Sequence, residues 1–342
     1  MMTPCFFKSL WKIYLLTLLY RTLKKNKMKS LLLLAIIVWS AHCAYNEKLA
    51  VDMVYASALS YCPSDKVMSG GCKAATVATE NIDIIPIFSV SNNDSKLPIY
   101  MTLMKRESQK QIIVGFSGTK GADELIDEVT HILPKEYDIH QNKGVQVFEF
   151  FYNHYKDEFR NDFLKQMSDA VNKDENQNYD VIFTGHSLGG ALTMHAAADA
   201  ILSGLFTNNN VYIYTFGQPR VGNAEFIDEF IPKVKESYRV IHDNDIVPHL
   251  PPCITDFNDG CTKHGFLIPV FPYHAATEVL YEQGFESYKV CSTSEGEDKT
   301  CALSKSGKSI PDHLTYFGVE VGQFHTHESN QSQPLAIKNL MK

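Results

Sequence analysis

Gly185-His186-Ser187-Leu188-Gly189-Gly190 constrains this chain more than any other stretch. It lies between a strand-like run, Tyr179-Asp180-Val181-Ile182-Phe183-Thr184, and a helix-like run from Ala191 to Leu202. A G-x-S-x-G between a strand and a helix is the signature of a nucleophile elbow. Such a turn is sharp and strained, and it presents the serine hydroxyl at the top of a sheet. Side chains at positions 185 and 189 would collide with the neighbouring strand and helix, so glycine stands at both. A Gly/Ser turn by itself can occur in any α/β protein. The flanking strand, the helix and Gly190 single out Ser187 as a nucleophile.

The rest of the chain reads as alternating units around that turn. Asn46 to Ser60 carries Leu49, Val51, Val54 and Leu59 at helical spacing. Ile84–Val90, Ile99–Met104 and Gln111–Phe116 read as strands, the last two as a hairpin across Arg106–Lys110. Gly144 to about Val171 reads as one long helix. Val211–Phe216 and Tyr238–His242 read as strands, with a short helix from Asn223 to Phe230 between them, stopped by Pro232. Ala276–Glu282 and Ser287–Cys291 read as late strands. Strand–helix alternation in the middle, with antiparallel pieces at both ends, predicts an α/β domain with a mixed sheet. No linker rich in Pro, Gly or Ser divides it, so one domain is expected.

Charge is uneven. Residues 1–43 carry seven Lys/Arg and no Asp or Glu, which leaves 25 basic against 39 acidic residues in the body. An acidic body argues against nucleic acid and against electrostatic docking on anionic lipid. Lys24-Lys25-Asn26-Lys27-Met28-Lys29 is a basic n-region, and Leu31 to Trp39 is an apolar h-region. Small residues then allow cleavage after Cys43 or Ala44. Residues 1–43 are therefore read as a secretory signal peptide with an effective start at Met28. The h-region is too short for a comfortable membrane span. A folded domain over 44–325 and a polar tail over 326–342 complete the expected organisation. The setting is extracellular, or the lumen of the secretory or lysosomal pathway. Cys62, Cys72, Cys253, Cys261, Cys291 and Cys301 form an even set whose clustering favours the local pairs 62–72, 253–261 and 291–301. No spacing suggests zinc. Asn93-Asp94-Ser95 and Asn330-Gln331-Ser332 are glycosylation sequons in a secreted chain.

A serine hydroxyl is a poor nucleophile until a base takes its proton and an acid orients that base. With such elbows the chain order is Ser, then Asp/Glu, then His. Asp243 and Asp245 both follow the strand at 238–242, and spacing does not separate them. Asp256 and Asp259 fall in the Cys253–Cys261 loop and read as solvated. His249 stands too close to Asp245 and reads as structural. His274 and His313 both qualify by position, with His313 ahead; His264, His325 and His327 are the other late histidines. One oxyanion donor is the Leu188 N–H, and the other is expected in the loop Gly115-Phe116-Ser117-Gly118-Thr119.

Several motifs then agree. Gly185–Gly190, Thr215-Phe216-Gly217-Gln218-Pro219-Arg220-Val221-Gly222-Asn223, Asn244-Asp245-Ile246-Val247-Pro248-His249-Leu250-Pro251-Pro252 and Asp312-His313-Leu314-Thr315-Tyr316-Phe317-Gly318 resemble the fungal-type class 3 lipases. With Tyr61-Cys62 and Phe116-Ser117-Gly118-Thr119 the resemblance spans roughly residues 47–320. It implies an α/β-hydrolase-like fold: a central, mostly parallel mixed sheet flanked by helices, one domain with a lid helix. It implies Asp245 as acid, His313 as base, and Thr119 and Leu188 as oxyanion donors, with His274 structural. The implied lid, Lys120 to Leu133, has an apolar side (Leu125, Ile126, Val129, Ile132, Leu133) and an acidic one (Asp123, Glu124, Asp127, Glu128), but lacks the Trp common in the family. Ser117 stands where the family commonly has Arg. The implied substrate is an acylglycerol ester at a lipid–water interface. No metal, cofactor, nucleic acid or stable membrane anchor is implied, and the oligomeric state is left open. A phospholipase A1, a soluble carboxyl or feruloyl esterase, and a catalytically silent lipid-binding protein are the alternative readings.

Overall fold

The run before Ser187 is apolar from Val181 to Phe183, as a strand covered on both faces must be. In the computed structural model it is an inner strand of an eight-stranded sheet. The structure describes residues 45–323 apart from 93–96, 120–132, 140–143, 208, 256–260 and 264–271. The 1–43 leader, its cleavage point, both sequons, the lid candidate up to Ile132, Asp256, Asp259, His264, His325, His327 and the 326–342 tail lie outside the described residues.

In chain order the described helices are α1 (Glu47–Leu59), α2 (Ser64–Ser69), α3 (Lys73–Ile82), α4 (Glu149–Asn153), α5 (Arg160–Val171), α6 (Leu188–Leu202), α7 (Ala224–Phe230) and α8 (Ile310–Leu314). The strands are β1 (Ile85–Ser91), β2 (Tyr100–Arg106), β3 (Gln111–Phe116), β4 (Pro134–Glu136), β5 (Gln146–Phe148), β6 (Asp180–His186), β7 (Val211–Phe216), β8 (Glu236–His242), β9 (Glu278–Tyr281), β10 (Tyr288–Val290), β11 (Thr315–Tyr316) and β12 (Val319–Glu320). The large sheet runs β1-β2-β3-β6-β7-β8-β9-β10. Its centre, β3 through β9, pairs in parallel, and β1–β2–β3 and β9–β10 pair antiparallel.

Alternation along β6 divides the core in two. Val181 and Phe183 join one apolar cluster with α5 and α6, and Ile182 joins another with α1 and α3. Phe183 meets Phe163 edge-on, with ring centres 6.0 Å apart. Burying one such ring contributes about 1.5–3 kcal/mol. The two covering helices are also keyed to one residue of the strand. The Thr184 hydroxyl lies 2.9 Å from that of Ser57 on α1, and the Thr193 hydroxyl of α6 donates to the Thr184 carbonyl at 2.7 Å. Both helices are thereby fixed against the strand just ahead of the turn.

The structure corrects the helix read over Gly144–Val171. Its start is the strand β5, paired with β4, because Val145 and Val147 follow the two-residue period of a strand and both are buried. The helix begins at Glu149, and His154–Phe159 winds as a π-helical turn before α5. Helices α2 and α3 escaped the sequence reading. The buried residues of α3 are Ala74, Ala75, Ala78 and Ile82, a helical face built mostly of weakly apolar alanines.

Candidate active site

Ser187 sits between β6 and α6 with φ +62° and ψ −132°. This is a region that non-glycine residues rarely adopt, and such strain persists only where surrounding structure enforces it. Enforcement comes from close packing of backbones: a Cβ on Gly189 would stand 2.1 Å from the Phe116 carbonyl oxygen. The Ser187 N–H donates to the Phe216 carbonyl at 2.9 Å, which holds the turn against the next strand.

The turn aims the Ser187 hydroxyl at His313 Nε2, 2.9 Å away. His313 Nδ1 lies 3.0 Å from each Asp245 oxygen. Asp245 is fully buried; burial pushes its carboxyl up, but the His313 ring, the Tyr316 hydroxyl and the Val247 N–H outweigh that and hold it below the usual carboxylate range. The ionised carboxylate requires a proton on Nδ1, which leaves the Nε2 lone pair facing the serine. Val247 N–H donates to Oδ1 at 2.8 Å and the Tyr316 hydroxyl to Oδ2 at 2.6 Å, so the carboxylate cannot rotate away.

Two loops distant in sequence are brought together for this. The turn after β8 carries Asp245 and bridges to Ser309, through Ser309 N–H to Asn244 O at 2.8 Å. Ser309 also caps α8, accepting from Asp312 N–H at 3.1 Å, and α8 carries His313. The base therefore stands on a one-turn helix. Gly217, with φ +53°, lets the backbone pass here, since a Cβ would lie 2.6 Å from Asp245 Oδ2. Asp243 points elsewhere: its Oδ1 accepts from Lys305 at 2.7 Å and its Oδ2 from Asn244 at 2.8 Å. His274 is buried, with Nε2 donating to the Pro248 carbonyl at 2.9 Å, and His249 packs against Gly307. Of the two bases that sequence left open only His313 meets Ser187, and of the two acids only Asp245 meets His313.

Leu188 is the first residue of α6, where main-chain N–H groups lack intrahelical partners. Thr119 is buried in the loop after β3. That loop passes directly over the nucleophile, because a Cβ on Gly118 would stand 2.9 Å from Ser187 Cβ. Ser117 knits the loop to β2: its hydroxyl accepts from Tyr100 N–H and its own N–H donates to Tyr100 O, both at 2.9 Å.

Other polar residues, to which the sequence assigns no role, brace the site. Arg220 of the Gly217–Asn223 motif forms a buried bidentate pair with Glu297 at 2.8 and 2.9 Å and donates to Pro251 O at 3.0 Å. Arg239 pairs with Glu278 at 2.9 Å and donates to Gly296 O at 2.8 Å. Tyr61 reaches His186, and Tyr316 reaches Asp245. Tyr316 stands three residues past the base, a signal the sequence did offer. The cysteines pair 62–72, 253–261 and 291–301, as their clustering predicts. The one cluster of potential metal ligands among the described residues, Glu278, Cys291 and Cys301, contains the 291–301 disulfide and so offers no thiolate.

The family described as lipase (class 3) matches residues 113–255. The Caenorhabditis elegans lipase ZK262.3 is 32% identical over 299 residues, covering 82% of this chain and 81% of that one. A Rhizomucor miehei lipase is 31% identical over 249 residues, covering 72% of this chain and 61% of its own length. The solved structure of the Rhizomucor miehei triacylglyceride lipase superposes with a TM-score of 0.66 at 27% identity, covering 82% of this chain and 98% of that one. The fold is that of the α/β-hydrolases, with a mostly parallel mixed sheet flanked by helices.

Proposed function

The chain belongs to the class 3 lipase family, and on that premise we propose that it is a secreted serine hydrolase that cleaves acylglycerol esters through an acyl-enzyme on Ser187. Family membership makes it a carboxylic ester hydrolase. The observation that carries the finer reading is the unbroken hydrogen-bond chain from Ser187 Oγ through His313 to a buried, ionised Asp245.

In this mechanism Ser187 Oγ attacks the ester carbonyl carbon while His313 Nε2 takes its proton. Asp245 keeps the ring oriented and stabilises the imidazolium that forms. Negative charge collects on the former carbonyl oxygen, which the N–H groups of Thr119 and Leu188 hold. Losing one such donor typically costs about 10²–10³ in rate. The tetrahedral intermediate then expels the glyceryl oxygen, which takes the proton from His313. Water attacks the acyl-Ser187 as His313 removes its proton. Collapse releases the carboxylic acid and returns the proton to Ser187 Oγ.

A leader over 1–43 and three disulfides support secretion of a chain whose catalytic domain spans 44–325. No helix among the described residues is long and apolar enough to cross a membrane. The intact geometry disfavours a silent lipid-binding protein, because nothing but chemistry requires a strained serine facing an imidazole held by a buried carboxylate. Ser187→Ala tests the reading: hydrolysis of a short-chain ester should fall about 10⁴–10⁶-fold with an unchanged melting curve. Activity within tenfold of the native protein removes Ser187 as nucleophile.

A further inference from the structure

His186 precedes the nucleophile, and the hydrolytic steps give it nothing to do. Yet both its ring nitrogens are committed. Nδ1 lies 2.8 Å from the Tyr61 hydroxyl, and Nε2 lies 2.8 Å from the main-chain carbonyl oxygen of His313. A carbonyl only accepts, so Nε2 carries the hydrogen. Burial, with His313 beside it, drives the His186 pKa down to about 3, so the ring holds that one proton and no other. Nδ1 is then an acceptor, and Tyr61 must donate to it. The Tyr61 hydroxyl also packs directly against Gly118, in the loop that ends at Thr119, where a Cβ would stand 2.5 Å from its oxygen. Both donors in this series, Tyr61 and His186, point the same way.

The far end of the series meets a specific need. Helix α8 is a single turn, and the last four carbonyls of any helix lack intrahelical partners. The His313 carbonyl is one of these, and His186 satisfies it. The two imidazoles also lie nearly face to face, with centres 4.6 Å apart and planes 26° apart. Shifting α8 would therefore break a hydrogen bond and a ring contact at once.

We propose that Tyr61 and His186 are positioning residues of this hydrolase, a tie that packs against the oxyanion-donor loop at one end and is hydrogen-bonded to the main chain of the general base at the other. The tie rests on the roles given above to Thr119 and His313. The His313 carbonyl fixes the hydrogen on Nε2, and Tyr61 supplies the donor for the lone pair this leaves on buried Nδ1. Without Tyr61 that acceptor is unsatisfied, and the ring that holds the His313 carbonyl is no longer anchored at its far side. The tie acts on geometry near the reacting atoms and not on the binding of the acyl chain. It therefore sets kcat and leaves KM alone.

The test uses the purified full chain with a short-chain p-nitrophenyl ester below its solubility. Tyr61→Phe and His186→Phe should each lower kcat by about 10–100-fold with KM within twofold, the size expected when a reacting group is misplaced. Because both act through one chain, the double variant should be no worse than the worse single one within twofold. His186→Gln, which restores a neutral donor toward the carbonyl, should regain at least part of the loss. A kcat within threefold of native for both single variants overturns the proposal, and so do losses that multiply in the double variant. If His186→Phe does not fold, Tyr61→Phe decides alone by the same threefold limit, since it deletes a single oxygen. Ser187→Ala is assayed in parallel. Retained activity there overturns the reading of the site itself, whereas an inactive Ser187→Ala beside near-native Tyr61→Phe overturns only the tie.

Discussion

The nucleophile and its acid–base partners are held by opposite means. Ser187 sits on a turn specified within six residues, between a strand and a helix buried in apolar surroundings on both faces. Asp245 and His313 lie 68 residues apart and meet through a bridge at Ser309. Around them stand two buried ion pairs and two disulfide loops, with Glu297 and Gly296 supplied by the 291–301 loop. Backbone sterics place the nucleophile, and long-range polar contacts place its partners. Sterics of that kind cannot be partly satisfied. A polar network can lose one member at a time, so the acid–base side is where graded effects belong.

The largest expected effect separates the two neighbouring acids. Asp245→Asn keeps the shape but no longer demands a proton on His313 Nδ1, so the wrong tautomer faces Ser187. The kcat for a short-chain ester should fall about 10⁴-fold, with thermal stability altered little. Asp243→Asn, which disturbs only the Lys305 and Asn244 contacts, should keep kcat within a few fold. Equal losses at the two positions would mean that the turn after β8 acts as a unit and that Asp245 has no special role.

The next effect is on stability. Glu297→Ala strands the buried Arg220 guanidinium, and removing one partner of a buried pair costs about 3–5 kcal/mol. For a chain of this size that lowers the melting temperature by roughly 10 °C. Arg220→Met with Glu297→Leu removes both charges together and should cost less than Glu297→Ala alone. If the single and double variants melt at the same temperature, the ion pair does not brace this side of the site.

The same contrast governs what the sequence made legible. The elbow could be read residue by residue because its steric demands fall on adjacent positions. The central strands β3, β6, β7 and β8 could be read because each is a short apolar run bounded by turn residues. Asp245 could not be separated from Asp243 by spacing, since two residues in one turn differ only in which way the turn aims them. The family motif separated them, and the bridge to Ser309 is the physical reason. Arg220 and Glu297 lie 77 residues apart, and neither carries a local pattern that announces the other. The strand β5 was hidden because Val145 to Phe148 runs without a break into the apolar face of α4.

The smallest effect probes the apolar side of the comparison, where a polar residue sits without a role. His195 lies on α6, fully buried among Tyr152, Tyr155 and Phe226, and neither ring nitrogen has a hydrogen-bond partner among the described residues. Burial drives its pKa down to about 3, with Asp199 opposing weakly. The folded state therefore keeps the ring neutral, whereas the unfolded chain protonates it near pH 6.5. Below that value the unfolded state binds more protons, so stability falls as pH drops from about 6.5 toward 3 and is unaffected above it. Burial depresses His186 and His274 in the same direction, so the acid loss should be steeper than one group gives. His195→Phe keeps the ring contacts and removes both the unpartnered nitrogens and the titration. Urea midpoints should rise modestly at pH 8, where an unsatisfied buried group alone costs about 1–3 kcal/mol. The gain should widen at pH 5 by up to about 1.4 kcal/mol per pH unit below 6.5. A gain that is the same at both pH values would show that His195 does not titrate on unfolding, and a loss at both would show that an unseen partner holds its ring.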